Sequence, residues 1–134
     1  MLWELKRAHD ALLSCLNELE RLTRDATPDR AKLADTRWRL SKASAERRKL
    51  VEAACDLLMI SALSSERANV RALREHNAEH VATSSSHIRR WPIDEALADW
   101  DGYRAASAVI QKTMRGRILQ EQRTLYPLLD RAAA

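Results

Sequence analysis

One seam constrains this chain before any other feature does. Leu2, Leu5, His9, Leu12, Leu16, Leu19 and Thr23 follow one another at steps of three and four residues. That spacing lines them along one side of an α-helix, and a strand, which alternates every two residues, does not reproduce it. No stretch of the sequence alternates at period two over a useful length. With two glycines, three prolines and no phenylalanine in 134 residues, turns are few. The remaining vocabulary, dominated by Ala, Leu, Arg and Glu, favours helix. A chain of this length buries a core without disulfide or metal staples. Residues 1–134 are therefore expected to form a single all-α domain, an up-down-up-down four-helix bundle.

The elements follow from the punctuation. A first helix is predicted from about Leu2 to Arg24, with His9 in a seam slot whose close neighbours are leucines. Thr27-Pro28-Asp29 marks the next start, Thr27 as N-cap, Pro28 in the first turn and Asp29 facing the helix dipole. The second helix runs to about Leu58, with Leu33, Leu40, Val51 and Leu58 on one face. Arg39, Lys42, Arg47, Arg48 and Lys49 are assigned to its outer, basic surface. Ser64-Ser65-Glu66 is a further capping signal. A third helix is predicted from there to about Arg90, ahead of Trp91-Pro92, with Val70, Leu73, Asn77, His80, Ser84 and Ile88 facing inward. Ile93 to Ala98 suits a short helical turn. Asp101-Gly102 leads into a fourth helix ending near Leu129, its inner face Tyr103, Ile110, Met114, Arg117, Glu121, Leu125 and Leu128.

Several function classes lose ground at this stage. The formal charge of +4 is compatible with nucleic acid or an acidic partner and requires neither. No basic run is interleaved with aromatic residues, however, and no recognition fold or stacking platform is visible, which argues against nucleic acid. Cys15 and Cys55 are too few and too far apart for a disulfide framework or a zinc module, and each sits among apolar helical residues as filling. The opening Met1-Leu2-Trp3-Glu4-Leu5-Lys6-Arg7 meets charge too early for a signal peptide, and no apolar stretch approaches a membrane span. A reducing cytoplasm and no membrane association are expected. No Ser or Cys stands beside a His in an activating arrangement, and no Gly-rich loop could cradle phosphate. The chain is therefore not expected to be an enzyme.

What remains is a polar constellation on faces that should be buried: His9, then His76, Asn77 and His80, then Arg117 and Glu121. Buried charge is costly unless it is paired or bound to metal. His76 and His80 are four residues apart and share one side of their helix. Arg117 and Glu121 are likewise four apart and can form a salt bridge.

Glu75-His76 on the third helix, and Glu121 followed by Leu125-Tyr126-Pro127-Leu128-Leu129 on the fourth, resemble the hemerythrin-like (HHE cation-binding) domains. The resemblance implies a four-helix bundle holding two iron atoms along its axis, with roles in oxygen, nitric oxide or iron handling. Carried over, His9 would match the first-helix ligand and His76 the third-helix ligand, with His80 extending it. Glu121 would match the fourth-helix carboxylate, while Arg117 takes the place of a histidine. The second helix lacks the family's His-x-x-x-Glu pair, and alignment against the fourth helix puts Glu46 and Leu50 in those slots. The full centre needs five histidines and two carboxylates, whereas this chain has four histidines in all. An intact di-iron site is excluded.

Two expectations follow. In the first, no cofactor is bound, Arg117 pairs with Glu121 in place of a metal, and the protein is a non-catalytic interaction or regulatory module for an unidentified protein partner. Trp3, Trp38, Trp91 and Trp100 are then its available aromatic anchors. In the alternative, His9, His76, His80 and Glu121 hold a single Fe, Zn or Mn ion in a sensing role.

Overall fold

The computed structural model describes residues 1–61 and 63–133, and among them it is helical with no strand. The elements are α1 (Leu2–Arg24), α2 (Arg30–Ser61), α3 (Ser64–Glu75), α4 (Asn77–Arg90), α5 (Ile93–Ala98) and α6 (Trp100–Ala132). α1 packs on α2 and α6, α3 on α2 and α6, α4 on α6, and α5 caps α2 and α6 at one end. No helix among the described residues is long and apolar enough to cross a membrane.

The seam of α1 is buried as its spacing requires: Leu5, His9, Leu12, Leu16 and Leu19 are all interior. At the start of α2 the capping group is Asp29 rather than Thr27. Its Oδ1 accepts the Lys32 amide at 3.1 Å, and its carbonyl accepts the Leu33 amide at 2.9 Å, which satisfies amides left free in a first turn. Glu66 Oε2 takes the Leu63 amide at 3.2 Å at the head of α3. Asp99 Oδ1 takes the Gly102 amide at 3.1 Å at the head of α6.

The expected third helix is broken in two. His76 keeps right-handed helical dihedrals, φ −80° and ψ −6°, and is still bonded to Ala72 (3.3 Å) and His80 (3.2 Å), so one residue interrupts the ladder between α3 and α4. The two halves differ in what they bury. Val70 and Leu73 of α3 are interior, whereas α4 contributes no fully buried residue. The reason lies in its composition. Thr83-Ser84-Ser85-Ser86 offers no large apolar group to pull α4 into the core, and Ile88, expected to face inward, is 53% exposed.

The core is layered along the helices. At one end Leu5, Val51, Ala54, Leu58, Val70, Leu73, Leu125 and Leu129 pack together with Cys55. Burial pushes the Cys55 thiol up to about 11, against the pull of Arg74, so this cysteine is filling rather than a nucleophile. In the middle stand Leu12, Leu16 and Ile118. The far end is aromatic, with Tyr103 between Trp100 (5.7 Å, stacked) and Trp91 (5.7 Å, edge-on). That end is tied to the α1–α2 link by the Trp100 indole, which donates to the Asp25 carbonyl at 2.9 Å. Arg104 donates to the carbonyls of Thr23 (2.6 Å) and Arg24 (3.1 Å) and so caps the C-terminus of α1. Trp91 and Trp100 are thus core, while Trp3 and Trp38 are exposed, each beneath a cation, Arg7 and Lys42.

Trp100→Ala should cost about 3–5 kcal/mol, the scale for removing a buried aromatic side chain. Trp38→Ala should change stability by less than about 0.5 kcal/mol, as expected on a surface. Urea unfolding of both variants checks the assignment, and equal losses would contradict it.

Candidate functional site

Between the apolar end and the middle layer lies a layer of charge. His9 follows Leu5 by one turn on α1, Arg47 precedes Val51 by one turn on α2, and Arg117 and Glu121 flank Ile118 on α6. All four are interior: His9 and Glu121 fully so, Arg117 3% and Arg47 7% exposed.

Glu121 is the hub. Its Oε1 accepts from His9 Nε2 at 2.9 Å, and its Oε2 accepts from Arg47 Nη1 at 2.8 Å. Arg117 Nε lies 3.1 Å from the same Oε2 as an ion pair, without hydrogen-bond alignment. A carboxylate only accepts, so His9 Nε2 carries a proton. When the ring is neutral, Nδ1 is then the acceptor for the Tyr126 hydroxyl 2.6 Å away. Burial holds the Tyr126 phenol above its ordinary value, which keeps it a donor.

Arg117 is held from a second side. The helix break at His76 leaves the last turn of α3 short of amide partners, and Arg117 Nη2 donates to the Leu73 carbonyl at 2.8 Å. Burial depresses the Arg117 pKa, Glu121 opposes that, and Arg47 adds to it. The guanidinium nevertheless stays charged at any working pH.

The expected cluster assembles in part. His9, Arg117 and Glu121 meet as anticipated. His80 is half-buried beside them, its pKa lowered by burial first and then by Arg117 and Arg47. His76, expected inside, is exposed at the joint between α3 and α4. Asn77 turns to α2, where it donates to Glu52 Oε1 at 3.3 Å. His87 leaves the cluster and stacks on Tyr103, its pKa lowered by burial and by Arg37. Among the described residues no group of three or more His, Cys, Asp or Glu is placed to hold a metal ion.

Arg47 is the residue that sequence reasoning put on the wrong side. It was assigned to the basic outer face, yet it donates to Glu121 from inside. The signal was present. Leu33, Thr36, Leu40, Ala43, Arg47, Val51, Ala54 and Leu58 form a run of three- and four-residue steps, and Arg47 falls on it. Its charge hid its place in that register. The aligned Glu46 is exposed and Leu50 is half-buried, so neither takes a ligand's position.

Two variants separate the members of the network. Glu121→Gln leaves two guanidinium groups facing each other without a counter-charge and should destabilise by about 3–5 kcal/mol. Arg117→Ala leaves Arg47 on the carboxylate and should cost less, about 1–2 kcal/mol. Chemical denaturation gives the order, and the reverse order would contradict the hub role of Glu121. The two depressed histidines give a pH signature. Below the unfolded value of about 6.5 the unfolded chain binds more protons at these sites than the folded chain does. Their contribution is therefore complete above that value and is lost as pH falls through the window beneath it. His80→Gln and His87→Gln should each flatten the fall in stability between neutral and mildly acidic pH, as read from melting curves across that range.

Comparison with family models, with curated proteins and with solved structures returns no match, so the chemistry of these side chains is what bears on function.

Proposed function

We propose that the chain is a hemerythrin-like four-helix bundle, with α1, α2, the α3–α4 pair and α6 as its arms, in which an arginine–carboxylate network stands where the family's metal would be. It works by binding, as an interaction or regulatory module for a protein partner, rather than by catalysis. One observation carries this reading: Arg47 and Arg117 both reach Oε2 of Glu121, at 2.8 and 3.1 Å. The carboxylate is the fourth-helix ligand that the resemblance assigns, and both of its oxygens are engaged. A metal ion there would have to displace two guanidinium groups that cannot give up their charge, or sit beside them in a poorly solvated interior.

The donor set fits a metal poorly. A single-ion site needs His9, His76, His80 and Glu121 together, but only His9 and Glu121 touch, and His76 is exposed. The His9–Tyr126 hydrogen bond moreover uses the second ring nitrogen as an internal strut. For the partner-binding role, the exposed Trp3 and Trp38, with Arg7 and Lys42 over their rings, supply aromatic anchors with a positive edge; tryptophan and arginine are enriched where proteins meet, though lysine is not.

Elemental analysis of protein produced in metal-supplemented medium tests the reading. The expected result is no near-stoichiometric Fe, Zn or Mn, together with a melting temperature that added metal leaves unchanged. A stoichiometric metal that raises the melting temperature would falsify it. The double variant Arg47→His/Arg117→His should gain metal affinity that the unaltered chain lacks, measured as metal-dependent stabilisation.

A further inference from the structure

The charge layer is unbalanced. Two interior guanidinium groups face one carboxylate, and two of their nitrogens, Arg47 Nε and Arg117 Nη1, are buried with no partner in the protein, while Arg117 Nε has only the unaligned ion pair with Glu121 Oε2 at 3.1 Å. A buried donor left unpaired is costly, and such groups are few in a folded interior. Both arginines line one small cavity of about 20 Å³ between α2, α4 and α6, together with Arg48 and His80. Among the described residues Arg48 forms no ion pair, and the walls of the space include three arginines and no carboxylate.

The cavity shares walls with something larger. Ser44, Arg48, Ser84, Ile110 and Met114 line it and also line a groove of about 410 Å³. Leu19, Trp38, Leu40, Ile88 and Tyr103 form the apolar and aromatic part of the rest of that groove, while Arg37, with its own unpartnered Nη1, and His87 stand on its polar side. It exists because α4, with its run of small hydroxyl residues, does not close over α6. Where the two spaces meet, the hydroxyls of Ser44 and Ser84 have no partner among the described residues. A volume of about 400 Å³ lies within the range of small-molecule sites. The inner cavity admits one water-sized atom and no more.

The geometry points to a binding site for a monocarboxylate with an apolar body, one carboxylate oxygen in the arginine-lined cavity and the hydrocarbon in the groove against Ile88 and Met114. A flat carboxylate places a single oxygen in so small a space, where a charge-assisted hydrogen bond from a guanidinium N–H holds it. A tetrahedral phosphate head is too bulky for it. An amino acid is disfavoured by its own ammonium group, which would meet Arg47, Arg48 and Arg117. A medium-chain fatty acid satisfies both halves. The site rests on the orphaned donors and the shared walls, and it stands whether or not the family resemblance holds.

Titration of the full chain with octanoate, followed by calorimetry and by tryptophan fluorescence, tests the site. Saturable one-to-one binding is expected. Affinity should climb from butyrate to octanoate by up to about fourfold for each added methylene, while octanol and norleucine bind at least about tenfold more weakly, as a charge-assisted contact requires. NMR of the His80 ring on the unaltered chain gives an independent reading. His80 faces Arg47 and Arg48 from α2 and Arg117 and Glu121 from α6, with Glu79 on its own helix. An anion seated at the arginines should raise its titration midpoint. Ile88→Ser, a change at an exposed groove wall, should weaken octanoate and spare acetate. Arg117→Met should abolish the preference for octanoate over octanol; if that variant does not fold, the His80 titration decides. Absence of saturable binding, octanol binding as tightly as octanoate, or a His80 midpoint that octanoate leaves unmoved would each overturn the proposal.

Discussion

The interior of this protein is organised around one carboxylate. Glu121 is fully buried, and it is tolerable there because α1 and α2 each send it a donor and its own helix sends a cation. Remove that convergence and each of the four side chains becomes a desolvated polar group, the most expensive thing a core of this size can hold. The network therefore sets the axial register of α1 and α2 against α6, because a hydrogen bond of 2.8–2.9 Å allows far less sliding than a leucine contact does. Apolar packing above and below supplies the bulk of the burial, and the charge layer selects among the ways of stacking it.

The same layer explains why one side of the molecule is looser. Arg117 reaches past Glu121 to the carbonyl of Leu73, which lies in the last turn of α3 just before the ladder is interrupted at His76. Beyond that joint α4 carries small hydroxyl residues and buries none of its side chains completely. The core is thus closed where α1, α2, α3 and α6 meet, and open where α4 crosses. A closed end, a charged middle and an open flank together place unpaired guanidinium groups on the wall of a small cavity that shares residues with the groove beside α4.

How legible this was varies with the kind of signal. The α1 seam, the helical class and the interior placing of His9, Arg117 and Glu121 were all readable, because three- and four-residue spacing reports a face without reference to partners. The cap at Asp29 was misplaced by two residues, since Thr27, Pro28 and Asp29 all suit a helix start and only the hydrogen bonds choose among them. The break at His76 had no Pro or Gly to mark it. Arg47 was the largest omission. Long basic side chains are usually surface residues, and nothing local reveals that a carboxylate 74 positions away is waiting for one.

The sequence by itself determined the helices, their amphipathic faces and the small number of histidines, because each of these follows from spacing, composition or a count. Which cations meet Glu121, whether α4 seals the bundle and where donors go unpaired were decided only in the folded chain. Those outcomes depend on distances between residues remote in sequence. No local pattern encodes such a distance until packing has fixed the register of one helix against another.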